Sequence, residues 1–231
     1  MNKIGFMQGR LSEIIDGKIQ AFPWESWKSE FKSASELNLE VLEWTLDFHR
    51  LYENPLMSVS GRKEITGLMT TFGVGINSLT GDCFMQAPFW KSNGKVCAGL
   101  KSDFLNICAN CSDLGIRLIV VPLVDNGSIE NAQQEQCLVD FILEIEDFLS
   151  SKELLICFET DYNPSEVNRF LRFLPASVVG INYDIGNSAS LGYNPEEEFL
   201  NYGQRIYNVH VKDRKYKGGT VPLFEGAGDF A

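Results

Sequence analysis

The feature that most restricts what this chain can fold into is a repeated alternation of short β-type runs and amphipathic helical runs. The β-type runs cover Lys3–Gln8, Val41–Thr45, Gly75–Thr80, Arg117–Leu123, Leu154–Thr160, Val178–Ile185 and Ile206–Lys212. Helical periodicity covers Trp24–Leu37, Arg62–Phe72, Val96–Leu114, Asn131–Leu149, Pro164–Leu174 and Pro195–Tyr202. Such βαβα order builds a parallel sheet with helices covering it. Seven strands at intervals of about 30–45 residues suit a TIM-type (β/α) barrel, whose usual size is about 250 residues. No linker rich in Pro, Gly or Ser interrupts the pattern, so a single α/β domain over residues 1–231 is expected.

The later strands distinguish a barrel from an open sheet. A strand buried on both faces of an open sheet is apolar throughout. Here Val179, Ile181, Tyr183 and Ile185 alternate with Gly180, Asn182 and Asp184. Tyr207, Val209 and Val211 alternate with Asn208, His210 and Lys212, and Leu154, Ile156 and Phe158 oppose Cys157, Glu159 and Asp161. The apolar sets are expected to face helices and the polar sets a barrel interior, with ionisable groups toward the C-terminal mouth where barrel active sites are built. Two loops stand out. Arg10–Phe22 carries Asp16-Gly17 between Ile14-Ile15 and Lys18-Ile19, which reads as a small hairpin over the mouth. Gly81–Gly94 holds Phe84, Met85, Phe89 and Trp90, which reads as a lid, a substrate wall or a surface packed on another subunit.

Composition excludes several classes of function. Lys plus Arg is 20 and Asp plus Glu is 31, a net charge of −11, which disfavours nucleic acid and anionic membranes. No run approaches the ~18 apolar residues of a membrane helix, and the N-terminus does not read as a signal peptide. Six cysteines without a secretory signal read as reduced thiols, so a cytoplasmic location is expected. The Cys108–Cys111 pair reads as two small buried side chains one helical turn apart, since no further ligands lie near it for zinc.

Three strand ends present ligand-type side chains in chain order, Glu159, Asp184 and His210. Two carboxylates and an imidazole suit a divalent cation such as Mn²⁺, Mg²⁺, Co²⁺ or Zn²⁺. Any one of them alone reads more simply as a hydrogen-bonded group in a polar interior. All three at the same end of successive strands, on the inward face, favour the metal reading. Glu43, at the end of the second strand, is expected to hydrogen-bond substrate or a water on the metal, or to pair with Arg10.

The chain resembles the xylose isomerase-like TIM barrels, the group of sugar and sugar-phosphate isomerases and epimerases that also contains the AP endonuclease branch. The likeness rests on Ile4-Gly5-Phe6-Met7-Gln8-Gly9-Arg10-Leu11-Ser12, Ala21-Phe22-Pro23-Trp24-Glu25 and Val41-Leu42-Glu43-Trp44. It continues through Phe158-Glu159-Thr160-Asp161, Tyr183-Asp184-Ile185-Gly186-Asn187 and Val209-His210-Val211-Lys212-Asp213-Arg214. The resemblance implies that Glu159, Asp184 and His210 are metal ligands, that Glu159 is also the acid/base, and that Arg214 touches substrate. Members of the group usually close the barrel with an eighth strand that ends in a fourth ligand. Here seven strands are evident and the eighth strand and last helix are read as missing. Glu225 is the nearby acid available as a replacement ligand, and an open seam predicts self-association into a homo-oligomer. The resemblance also leads to Gly where Phe224 stands, and to a His shortly after the sixth-strand Asp, where Asn187 stands.

The function expected is metal-dependent isomerisation or epimerisation of a small sugar or sugar phosphate. A proton leaves carbon next to a carbonyl, the cation stabilises the enediolate charge, and Glu159 carries the proton with a pKa raised by the pocket. Lys212, Arg214 and Arg10 are the cations available for an anionic substrate group. The alternative is a non-catalytic sugar-binding or assembly relative that lost the last strand. AP endonuclease-type phosphodiester chemistry fits less well, because a three-zinc site needs several histidines and the chain has 2.

Overall fold

The computed structural model describes residues 3–14 and 20–230. The strands are β1 (Gly5–Met7), β2 (Val41–Thr45), β3 (Gly75–Thr80), β4 (Leu118–Leu123), β5 (Leu155–Thr160), β6 (Val179–Asp184), β7 (Ile206–His210), β8 (Asp213–Arg214) and β9 (Thr220–Val221). The helices are α1 (Trp27–Glu36), α2 (Val59–Phe72), α3 (Asp82–Gln86), α4 (Gly94–Leu114), α5 (Ala132–Glu144), α6 (Glu146–Ser151), α7 (Pro164–Leu171), α8 (Ile185–Leu191) and α9 (Pro195–Tyr202). The seven strand runs read from the sequence all form strands, each within a few residues of the expected bounds. The hairpin expected around Asp16-Gly17 lies outside the described residues. Among the described residues no helix is long and apolar enough to cross a membrane.

The chain forms two compact units, Met1–Ile119 with Lys152–Leu154, and Val120–Ser151 with Leu155–Ala231. In the first, β1 pairs in parallel with β2 and β2 with β3. Its core gathers around Trp44, which is fully buried, with Phe22 at 5.4 Å and Trp27 at 5.7 Å between ring centroids. The indole N–H of Trp44 donates to Asn54 Oδ1, so the ring is buried without leaving its polar atom unmet. The aromatic loop after β3 forms α3 and a 3-10 turn, Phe89–Lys91, and packs onto α4. Phe84 and Phe89 meet Phe104 at 4.7 and 6.2 Å, and Phe84, Phe89 and Trp90 are buried. These rings therefore serve the core of their own unit. Cys108 and Cys111 are fully buried on α4, as the spacing suggests.

In the second unit, β5 pairs in parallel with β6 and β6 with β7. The caps are legible in the chain. Asn163 and Glu166 make a reciprocal capping box around Pro164 at the start of α7, and Asn194 caps α9 ahead of Pro195. Val179, Ile181 and Tyr183 are buried, and the Phe158 ring meets Phe170 of α7 at 5.5 Å in a tilted contact. The single helix expected over Asn131–Leu149 instead breaks into α5 and α6 at Ile145, whose ψ of 9° departs from helical geometry. Strand β7 alternates as read, but its apolar face is not buried: Tyr207, Val209 and Val211 are 45%, 46% and 61% exposed.

Candidate metal centre

The C-terminal ends of β5, β6 and β7 bring Glu159, Asp184 and His210 together within the second unit. Parallel pairing puts Asp184 directly across from His210, after a register shift between Ile181 and Asn182. One ligand atom from each of the three lies within 4.8 Å of the others. His210 Nδ1 stands 3.2 Å from Glu159 Oε2 and 3.8 Å from Asp184 Oδ2. Atoms bound to one ion at about 2.0–2.2 Å stand about 3–4 Å apart, so the spacing matches a shared cation.

Amide side chains fix this geometry. Asn182 Nδ2 donates to Glu159 Oε2 at 2.7 Å and lies 3.0 Å from His210 Nδ1, while Asn182 Oδ1 accepts from Asn208 Nδ2 at 3.0 Å. That chain orients the Asn182 amide and, through it, two of the three ligand side chains. Asn187 Nδ2 donates to the other Glu159 oxygen at 2.5 Å, and Asn187 Oδ1 accepts from Arg214 at 2.8 Å. Asp184 is both the last residue of β6 and the N-cap of α8, its Oδ1 accepting the Asn187 backbone N–H at 2.8 Å. Its Oδ2 is buried and faces the side chain of Lys212. Lys212 Nζ stands 2.6 Å from that oxygen as an ion-pair partner. A buried carboxylate beside a second carboxylate and an imidazole is a donor set that suits a divalent cation.

The two acids are pushed in opposite directions. Burial raises Glu159, but the hydrogen bond and charge of His210, with Lys212 and the Asn182 amide, outweigh it and leave the carboxyl below its ordinary range. This corrects the expectation of a raised Glu159. A carboxyl surrounded by donors and cations favours its charged form even when buried. Asp184 is raised by burial first and by the Glu159 charge second, against the pull of Lys212.

The other residues read as site candidates separate by unit. Lys212 and Arg214 reach the centre through Asp184 and Asn187. Glu225 is exposed and stands outside the ligand triad. Arg10 and Glu43 belong to the first unit, where Arg10 sits in the exposed turn after β1 and Glu43 is buried with Ser78 Oγ donating to it at 2.6 Å. Sequence reading missed α8 and the amide relay through Asn182. The signals for α8 were present: Asp184 as cap, then Gly192 at φ +80° closing the helix.

Parallel strands alternating with helices, with two acids and an imidazole at successive strand ends, define an α/β protein of the TIM-barrel kind. The family model described as xylose isomerase-like TIM barrel matches residues 31–231, and the chain belongs to that family. No curated protein sequence matches it. Among solved structures it is similar to a xylose isomerase-like TIM barrel protein from Mycobacterium smegmatis in complex with magnesium. That likeness has 14% identity and a TM-score of 0.68, covering 97% of this chain and 82% of that one. It is also similar to the IOLI protein with a zinc atom, at 17% identity and a TM-score of 0.69, covering 87% and 75%. A D-psicose 3-epimerase in the presence of D-fructose matches at 15% identity and a TM-score of 0.66, covering 83% and 71%. At these identities the likenesses establish the fold.

Proposed function

We propose that this chain is a divalent-metal-dependent isomerase or epimerase of a sugar or sugar phosphate. The observation that carries the reading is the convergence of Glu159, Asp184 and His210, with both carboxylates buried. A cation bound there supplies Lewis-acid polarisation of a carbonyl and its neighbouring hydroxyl. The remaining work falls to side chains. Glu159, held ionised by its cationic neighbours, is a base for the proton on the carbon next to the carbonyl. Returning that proton to the former carbonyl carbon, while the hydroxyl proton passes to the former carbonyl oxygen, completes an isomerisation. Returning it to the same carbon from the opposite face, by a second group, completes an epimerisation. Asn182 and Asn187 hold the two Glu159 oxygens, so the base is oriented before substrate arrives. Arg214 and Lys212 line the same end and suit hydroxyl or phosphate oxygens of a sugar. The IOLI protein with zinc and the epimerase with D-fructose support both parts of the reading, the metal and the sugar.

Titration calorimetry with Mn²⁺, followed by a proton–deuterium exchange screen over common ketoses and their phosphates, tests the proposal. Wild type should bind one Mn²⁺, and His210→Ala should bind at least tenfold more weakly. Glu159→Gln should abolish exchange. Equal Mn²⁺ affinity in wild type and His210→Ala would remove the metal centre. Metal binding with no exchange on any sugar would leave a sugar-binding relative without catalysis.

A further inference from the structure

Behind the metal centre, on the helix side of β6, a second carboxylate is buried. Glu198, in the first turn of α9, is 2% exposed. Its donors are three hydroxyls: Tyr183 Oη at 3.0 Å, Ser188 Oγ at 2.5 Å and Tyr202 Oη at 2.7 Å. Burying a carboxylate costs several kcal/mol unless it is well paired, and replacing such a group with apolar packing is often neutral or stabilising. Its position suggests what it does instead. Tyr183 directly precedes Asp184 on β6, and Ser188 directly follows Asn187 on α8. One carboxylate oxygen, Oε2, therefore grips both ends of the segment 183–188. Inside that segment lie Asp184 and the Asn187 amide that holds Glu159. A cavity of about 20 Å³, room for about one water, is lined by residues of both groups, Glu159 and Asp184 together with Ser188, Glu198 and Tyr202. The third donor, Tyr202, is on the same helix as Glu198, four residues on, so its bond stabilises α9 without touching the segment.

We infer that Glu198 is a positioning residue for the metal centre, setting Asp184 and Asn187 through the hydroxyls of Tyr183 and Ser188. The inference rests on the metal reading proposed above. Partners of this kind, one layer out from the ligands, usually change metal affinity by about 10–100-fold when removed.

The test measures the Mn²⁺ dissociation constant and the thermal midpoint of five variants. Ser188→Ala and Tyr183→Phe each delete one hydroxyl that reaches the segment. Ser188→Thr keeps a hydroxyl at position 188. Tyr202→Phe deletes the hydroxyl that does not reach the segment, and Glu198→Gln alters the hub. Ser188→Ala and Tyr183→Phe should weaken Mn²⁺ binding about tenfold or more, and Glu198→Gln at least as much. Ser188→Thr should stay within about threefold of wild type. Tyr202→Phe should lower the midpoint yet leave the dissociation constant within about twofold. Undiminished Mn²⁺ affinity in folded Ser188→Ala and Tyr183→Phe would overturn the inference while leaving the metal centre standing. So would an equal loss in Tyr202→Phe, because general loosening of α9 would then explain it. A wild type that binds no Mn²⁺ would remove the metal reading and the inference with it.

Discussion

Lys212 Nζ lies 2.6 Å from Asp184 Oδ2, a buried oxygen of the candidate metal centre. The ammonium thus neutralises the carboxylate oxygen that a cation would use. Gly186 makes the approach possible, because a Cβ there would meet Lys212 Cγ at 2.7 Å and the Lys212 carbonyl oxygen at 3.0 Å. Two positive charges competing for one buried carboxylate repel strongly at such range. Lys212→Met should therefore tighten Mn²⁺ binding about tenfold at pH 8 by titration calorimetry, while lowering turnover on any phosphorylated substrate. Weaker binding in Lys212→Met would show that the ammonium organises the site more than it competes.

Two glycines of α2 make an internal comparison for stability. A Cβ on Gly61 would stand 2.1 Å from the Pro55 carbonyl oxygen and 2.6 Å from Pro55 Cα, both backbone. A Cβ on Gly67 would meet nothing within 4 Å. Gly61→Ala is expected to destabilise by about 2–3 kcal/mol through forced displacement of the turn before the helix. Gly67→Ala is expected to stabilise by about 0.5–1 kcal/mol, the helix-propensity difference. Urea unfolding of both variants measures the two effects, and effects of the same sign would contradict the packing at Pro55.

Most of the strand and helix order was legible because the elements carried their own periodicity and several helices their own capping residue. The convergence of the three candidate residues was legible for the same reason, since alternation along β5, β6 and β7 puts Glu159, Asp184 and His210 on one face. Helix α8 was hidden because it begins on the residue that ends β6, with Asp184 serving both elements. The Glu198 cluster was hidden because Glu196, Glu197 and Glu198 all read as exposed first-turn acids. Only the packing of α9 on β6 and α8 selects the third for burial. The lowered Glu159 was hidden too, because its direction depends on the distances to His210 and Lys212.

Acid stability should reflect two carboxylates of opposite sign. Glu135 accepts from Arg169 and from Tyr162 Oη, and the Arg169 hydrogen bond leads in holding it below its usual value of 4.5. Its contribution is present above the unfolded pKa and is lost as pH falls through the lower folded one. Glu30 is fully buried and is raised, mainly by burial, although the Gly9 and Leu11 backbone N–H groups donate to it. Its contribution is complete below the unfolded pKa and declines as pH rises through the higher folded one. Urea midpoints between pH 3.5 and 7 should show the advantage of wild type over Glu135→Gln growing with pH. The advantage over Glu30→Gln should shrink over the same range. Parallel slopes for the two pairs would contradict one of these assignments.

Phe224 carries the last prediction. The family resemblance leads to glycine at this position, and the backbone there has φ +72°, in the left-handed region. A side chain other than glycine costs about 1 kcal/mol or more in that region. The Phe224 ring is 81% exposed, with the Phe230 ring 5.3 Å away, so little burial offsets the cost. The turn is held from elsewhere: Asp213, buried on β8, accepts the backbone N–H groups of Gly226 at 2.8 Å and Gly228 at 2.9 Å. Comparison of Phe224→Gly with Phe224→Ala isolates the backbone effect, because both variants lose the ring contact. Phe224→Gly should be the more stable by about 1 kcal/mol in urea unfolding, although glycine is the more flexible residue when unfolded. The reverse order would mean that the left-handed turn is not kept in solution. Asp213→Asn should weaken the anchor, since a neutral amide cannot accept both N–H groups as strongly as a carboxylate. In that background the difference between the glycine and alanine variants should shrink, because a released turn no longer holds residue 224 at positive φ.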